Sequence, residues 1–595
     1  MVKRLLAYFR NYKVYAILCP VMMLLEVVCD VFMPLMMAKI VNRINAGSAL
    51  GLGGADVEYI LKIGGLMVLL ALFALFCGAY SNRLAAVASM GAGAEMREAL
   101  FTKIQTSSFS DLDRFSVPSL ITRLTTDVNN LQQTGMMVLR MLIRAPFMFF
   151  MALIIAVSIN AELAAVFLVA IPVLGTAIFI IMKKAHPRFV LLQNKIDDLN
   201  ASVQENLINM RVVKSFVRSG YEKEKFKKAN DDMTRTAIHA VKLVITNMPL
   251  MQLIVYSCII AILWLGGSMV VDTSAGELVT GTSVSGLHTG DLLSLISYVS
   301  QILMSLMMLS MLFLQFVRAR ASAERVFEVL DTDPELTDPE NPVTEVPDGS
   351  ITFQNVSFRY ATGSGEDTLS GIHLDIHSGE TIGIIGATGA AKTTLVQLIP
   401  RLYDVTDGTL LVGGRNVKEY SLETLRDAVA MVLQKNTLFS GTIRENMKWG
   451  NPEATDAEIM EACRHAQAWD FVSKMPAGLD TDLSQGAANL SGGQKQRLCI
   501  ARALLKHPKI IILDDSTSAV DMATDSKIQE AFTTELKGIT TIVIAQRIRS
   551  IAHADRIIVL DDGKISAIGN HETLLAENEI YRDVYTSQQE GVISE

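Results

Sequence analysis

Residues 490–521 read LSGGQKQRLCIARALLKHPKIIILDDSTSAVD. A serine and two glycines open a helix, and a helix start with free backbone N–H groups attracts anions. An aliphatic run, Ile510 to Leu513, then ends in two adjacent aspartates, Asp514 and Asp515. A buried strand carrying two carboxylates at its end is costly unless a cation sits there. Asp514 is therefore read as the holder of a metal ion, and the role of Asp515 is the open question.

A second anion-seeking element lies upstream, TIGIIGATGAAKTTLVQLI at 381–399. An apolar strand, Ile382 to Ile385, enters a small-residue loop made of Gly386, Ala387, Thr388, Gly389, Ala390 and Ala391. A helix is expected to start near Lys392. Such a loop turns its backbone N–H groups toward phosphates, with Lys392 reaching the β- and γ-phosphates, Thr393 ligating Mg²⁺, and Thr394 following. The pattern wants glycine just before the lysine, and Ala391 stands there; its methyl narrows the backbone choices. Two phosphate-seeking elements do not readily serve one nucleotide in one small domain. The arrangement they favour is two copies face to face, each turn closing the other's nucleotide.

Long uncharged stretches occur up to Val317 and none after it. Half the 595 residues are hydrophobic and only 19% are charged, too apolar for an ordinary soluble chain. Six spans of about 20 apolar residues are expected: Val14–Ala38, Ile63–Asn82, Met136–Asn160, Leu163–Met182, Leu243–Val271 and Leu292–Val317. Lys3, Arg4, Arg10 and Lys13 put the N-terminus in the cytoplasm, and the loop at 272–291 has no Lys or Arg and belongs outside. Six crossings return the soluble half to the cytoplasm. A net charge of −8 excludes the basic footprint of a nucleic-acid binder, and six scattered cysteines without paired spacing read as free thiols. The expected domains are a transmembrane unit at 1–325, a linker at 326–348 and a soluble nucleotide-binding unit at 349–595.

Two long polar segments, 108–132 and 198–226, are cytoplasmic by this topology and read either as contacts to the soluble unit or as helical extensions of the spans. Glu26 and Asp30 lie four apart on one face of the first span. Ionisable groups inside a membrane face a cavity or a partner. They are either a site for cationic substrates or protons, or the partners of a residue such as Lys39 or Arg144. Met304, Met307, Met308 and Met311 on the sixth span form either an adaptable apolar wall or plain helix packing.

Together these motifs resemble a half-transporter of the ABC family, with a six-helix exporter-type membrane bundle fused to an α/β P-loop ATPase domain. The resemblance covers nearly the whole chain. It implies that Tyr360 stacks on adenine and that Gln434 contacts Mg²⁺ and the membrane unit. It also implies that Ser491, Gly492, Gly493 and Gln494 bind the partner's ATP, that Asp514 orders Mg²⁺, and that Ser518 to Asp521 form the loop after the strand. Ser110 to Ser116 and Asn209 to Lys214 correspond to coupling loops.

Two family positions are altered. A glutamate normally follows the metal-holding aspartate and aligns the attacking water; here it is Asp515. A switch histidine is replaced by Gln546. One methylene fewer draws a carboxylate back by about 1.5 Å, and misplacement by about 1 Å costs about 10²-fold in rate. Glutamine cannot shuttle a proton as histidine does. With Ala391, three changes fall on one site and leave binding possible while weakening hydrolysis; the LSGGQ turn is intact. The combination is similar to the degenerate-site subunit of bacterial heterodimeric multidrug exporters. The resemblance implies a partner half-transporter with a complete glutamate and switch histidine, an amphipathic substrate (drug, peptide or lipid), and a place in the bacterial plasma membrane. The competing expectations are an importer of siderophore or haem on the same fold, and an ATP-gated channel or regulatory subunit.

Overall fold

The computed structural model describes residues 2–49, 57–280, 286–360, 365–515, 522–534 and 538–593. They fall into two compact units: residues 1–102 with 121–331, and residues 103–120 with 332–595.

Nearly all the described residues of the first unit are helical. Its principal helices are α1 (Lys13–Ala49), α2 (Val57–Thr106), which runs on into the second unit, α4 (Val128–Ile159), α5 (Ala161–Ile208), α6 (Met210–Ser215), α7 (Ser219–Ile245), α8 (Asn247–Thr280) and α9 (Thr289–Asp331). A short helix, α3 (Phe109–Phe115), belongs to the second unit. Six stretches among the described residues are long and apolar enough to cross a membrane: 10–45, 57–106, 117–159, 161–208, 219–273 and 289–312. The first five outrun their apolar cores because the polar flanks stay helical, so the extension reading of the two polar segments holds for their outer parts. Helix is forced on the apolar runs, since lipid offers no partner for backbone N–H and C=O groups. The last helix also runs beyond residue 325, to Asp331.

Within this unit α9 packs along α4 and α1, and α8 packs against α5 and α9. The buried Tyr298 of α9 donates its hydroxyl to the Val31 carbonyl at 2.7 Å, pinning α9 to α1. At the other end of α9 lies a charged network. Arg325 clasps the fully buried Asp127 carboxylate, with its Nε at 2.8 Å. Arg123 donates to the Arg325 carbonyl at 2.7 Å and pairs with Glu328 at 2.9 Å. Asp127 and Arg123 flank a π-helical turn at 123–127, which turns both side chains toward α9.

The second unit is α/β. The strands of its two main sheets, in chain order, are β1 (Ile351–Phe358), β2 (Leu369–Ile376), β3 (Thr381–Gly386), β4 (Asp407–Val412), β5 (Arg415–Asn416), β6 (Val429–Val432), β7 (Ile510–Asp514), β8 (Thr540–Ile544), β9 (Arg556–Asp561) and β10 (Lys564–Gly569); a short antiparallel pair, Gly441–Thr442 with Asp482–Leu483, stands apart from both. One sheet is antiparallel, in the order β2-β1-β4-β5. The other runs β10-β9-β3-β8-β7-β6, parallel except for β10. Every residue of β7 and β8 is buried, as expected of central parallel strands covered on both faces. Alternation then sorts the side chains: Ile511, Leu513 and Val543 enter one core, and Ile510, Ile512, Ile542 and Ile544 the other. Asp514 continues the second set.

Candidate nucleotide site

Ligands in open parallel sheets bind beyond the carboxyl ends of the strands. Here β3, β8, β7 and β6 are neighbours in that order, and each ends in or just before a candidate residue. β3 runs into the small-residue loop, β7 ends in Asp514 and Asp515, and Gln546 and Gln434 lie two residues beyond β8 and β6. Parallel pairing thus brings together residues scattered over more than a hundred positions of sequence.

The loop keeps the shape that a phosphate cradle needs. Gly386 is required by space, since a Cβ there would sit 2.2 Å from the Leu560 carbonyl oxygen. Gly389 has φ +90°. Ala391 adopts φ 66°, ψ 25° and caps α10 (Lys392–Gln397) without any side-chain bond. A left-handed conformation costs a non-glycine residue about 1–2 kcal/mol, so the alanine holds the loop shape under strain. Lys392 folds back to donate to the carbonyls of Gly386 and Ala387, both at 2.8 Å. Burial pulls its ammonium pKa down, against the attraction of Asp514 and Asp515.

Asp514 is 2% exposed and accepts from the Thr393 hydroxyl at 3.0 and 3.2 Å. Its carboxyl is pushed above the usual carboxylate range by burial and by neighbouring Asp515, against Thr393 and Lys392. A buried carboxylate and hydroxyl with too little positive charge suit a hard divalent cation with oxygen ligands. Asp515 sits at φ 48° and is also buried. Gln546 Nε2 donates to its Oδ2 at 2.7 Å, and Gln434 hydrogen-bonds the same carboxylate. Its pKa is raised by burial, which outweighs these bonds.

The other anion-seeking turn is built differently. Ser491 caps α11 (Gly492–Leu504) with a full capping box: its hydroxyl accepts from Gln494 N–H at 3.3 Å, and Gln494 Oε1 accepts from Ser491 N–H at 2.9 Å. One turn on, the buried Gln496 donates to the Asp515 carbonyl at 3.2 Å. Gln496 was not among the sequence candidates; a lone glutamine amid the buried Leu498, Cys499 and Ile500 of this helix was the available signal. Ser518 to Asp521 lie outside the described residues.

Tyr360 is half-buried, its hydroxyl 3.1 Å from that of Thr394 and its ring edge-on to Phe358. In the membrane unit, Glu26 and Asp30 both pair with Arg144 of α4, at 2.5 and 3.0 Å. Of the two readings, the structure supplies the partner. All six cysteines are free and buried.

A six-helix membrane unit joined to a parallel-sheet unit with a phosphate loop and a capped signature turn defines a membrane-transport ATPase. Residues 16–305 match the ABC transporter transmembrane region, and residues 369–518 match the ABC transporter family. The chain is 36% identical to the uncharacterized ABC transporter ATP-binding protein YfiB of Bacillus subtilis, over 98% of both chains. It is 33% identical to the ATP-dependent lipid A-core flippase of Desulfotalea psychrophila, over 83% of this chain and 84% of that one. A bacterial Atm1-family ABC exporter solved with ATP bound superposes with a TM-score of 0.78 at 25% identity, over 97% of this chain and 99% of that one. The chain belongs to the ABC transporter family and has the exporter architecture, a multi-pass membrane protein with a C-terminal cytoplasmic ATPase domain that binds ATP.

Proposed function

We propose that this chain is the degenerate-site half of a heterodimeric exporter, holding ATP at its own phosphate loop and leaving most hydrolysis to the site completed by its partner. The observation that carries this reading is the Asp515–Gln546 hydrogen bond. A general base must be free to take a proton from water, and its proton relay must accept one. Here the shortened carboxylate is engaged by two amides that cannot accept a proton in return.

Binding is spared. The loop keeps its cradle shape at Ala391, and Lys392 is in place to exchange two carbonyls for phosphate oxygens. Thr393 and Asp514 would hold Mg²⁺, with Gln434 beside them; the ion would neutralise charge on the β- and γ-phosphates. Tyr360 would stack on the adenine. Ser491, Gly492, Gly493 and Gln494 would cover the partner's nucleotide, and their intact cap supports an active opposing site. ATP-driven closure of the two ATPase units would switch the membrane units from inward- to outward-facing.

The substrate class is an amphipathic small molecule, drug, peptide or lipid. A lipid is supported by the similarity to a lipid A-core flippase. The Glu26–Asp30–Arg144 triad is read as a structural tie between α1 and α4, because each carboxylate is paired with the arginine.

The test is ATP turnover. The chain purified alone should bind ATP and turn it over slowly, and rapid turnover should require a second half-transporter with the glutamate and histidine. Brisk ATPase activity from a homodimer of this chain would overturn the proposal.

A further inference from the structure

Tyr403 lies outside every motif noted above, yet it touches both a nucleotide-site residue and α3. Its ring meets the edge of Tyr360 at 5.3 Å between centroids, with the planes at 85°, and lies 5.6 Å from Phe358. On its other side its hydroxyl donates to Asp113 Oδ2 at 2.8 Å, and the Phe109 ring lies 6.2 Å away. Phe109 and Asp113 belong to α3, which follows a membrane helix directly in sequence but groups with the ATPase unit. Ser110 of the same helix bonds to Glu335. A cavity of about 260 Å³, lined in part by Asp113, Tyr360 and Tyr403, leaves these rings room to move.

We propose that Tyr403 is a positioning residue that conveys occupancy of Tyr360 by a purine base to α3. The proposal rests on the reading of Tyr360 as the base-stacking residue. Tyr360 is tethered at its hydroxyl to Thr394, so a base settling on its face tilts the ring about that tether. Edge-to-face pairs have a preferred geometry, so the Tyr403 ring follows the tilt. Its phenol stays protonated at neutral pH, held up by burial and by the Asp113 carboxylate, and is therefore a constant donor to Asp113. A hydrogen bond of this kind weakens steeply with small displacements. A subångström ring shift is thereby read out at an exposed residue of α3, the helix that follows α2 in sequence.

Amide hydrogen exchange of the full-length chain in lipid nanodiscs, with and without Mg-ATP, tests this. One hydrogen bond is worth about 1 kcal/mol, and it is already made without nucleotide, so ATP should speed exchange in α3 by about fivefold in the unaltered chain. Tyr403→Phe keeps the ring and removes only the donor; it should bind ATP with unchanged affinity and exchange at the faster rate with or without ATP. Asp113→Ala, at an exposed position, removes the same bond by another route and guards against misfolding of the first variant. Asp113→Asn keeps an acceptor oxygen and should retain the ATP-dependent change. Tyr360→Ala tests the underlying reading separately and should weaken ATP binding about tenfold or more, the scale of a lost base stack. Unchanged affinity in Tyr360→Ala would remove the base-stacking reading. Weakened affinity there, with the full ATP-dependent change in both Tyr403→Phe and Asp113→Ala, would overturn the role of Tyr403 alone.

Discussion

The ATPase unit has two helices that open on a small-residue turn, and they are made to different standards. α11 begins with Ser491 in relaxed extended backbone, φ −69° and ψ 159°, with both bonds of a capping box in place. α10 begins with Ala391 in the left-handed region and no side-chain cap. Beyond α10 lie a shortened carboxylate and a glutamine bonded to it. Within α11 the buried Gln496 is held by a hydrogen bond to the Asp515 carbonyl. A sequence under no constraint to hydrolyse ATP anywhere would be expected to let both ends decay. On the proposed reading the two ends answer to different nucleotides, the strained one to ATP that is held and the relaxed one to ATP that is consumed.

The largest effects should separate the two ends. Gly492→Asp places a negative charge at the start of α11, where the partner's phosphates would lie. It should cut ATPase activity of the assembled transporter by about 10²-fold or more, the scale of removing a transition-state contact. Asp515→Asn should change the same activity less than about twofold, since that carboxylate does little of the work. Steady-state turnover of the reconstituted pair measures both. Equal losses would erase the distinction between the ends.

Repair should be possible in steps. Asp515→Glu alone should raise hydrolysis at this chain's own site by about tenfold, and Asp515→Glu with Gln546→His by about 10²-fold, as reach and proton transfer return. Single-turnover assays with the partner's catalytic glutamate neutralised isolate this site. A double variant as slow as the parent would mean that these two residues do not set the rate.

Much of this was legible in the sequence because the informative signals are local. The apolar runs fix the six helices, since lipid leaves the backbone no alternative. The loop at 386–394 and the strand ending in Asp514 announce themselves by residue type and spacing. What sequence could not give were the contacts between segments. The pairing of Glu26 and Asp30 with Arg144 was one of two readings until α4 was placed beside α1. Arg123, Asp127 and Arg325 carry no motif and meet only because a π-helical turn faces α9. Tyr403 and Asp113 are nearly three hundred positions apart, and no pattern links them. Even at the nucleotide site, sequence named Asp515 and Gln546 as departures, and only the pairing of β7 with β8 showed one bonded to the other.

Ala391→Gly sharpens the comparison at the level of stability. Relieving a left-handed alanine should stabilise the nucleotide-free protein by about 1 kcal/mol, or about 2–4 °C in the unfolding midpoint of the ATPase unit. The same glycine in place of Ser491 should act in the opposite direction, by a few tenths of a kcal/mol, because it removes a cap. Scanning calorimetry of both variants shows whether only α10 is strained; a lower midpoint for Ala391→Gly would contradict the strain.

The smallest expected effect concerns charge. Asp514 and Asp515 both have carboxyls raised by burial. The native state therefore keeps protons that the unfolded chain releases just above the ordinary carboxylate range. Stability contributed by these groups is greatest below that window and declines as pH rises through it, since the native state binds more protons there. Asp514→Asn removes one of the two groups and should flatten the decline, raising the midpoint of the nucleotide-free protein slightly at neutral pH. The same variant should lose the Mg²⁺-dependent part of ATP binding. Melting curves from about pH 5 to about pH 8 resolve this, and a midpoint lowered at neutral pH would mean that Asp514 is already compensated without a cation. Stabilisation with loss of metal-dependent binding is the behaviour of a site that stores unfavourable charge for a ligand. The relaxed, uncharged opening of α11 stores none, so Ser491→Ala should leave the pH dependence where it was.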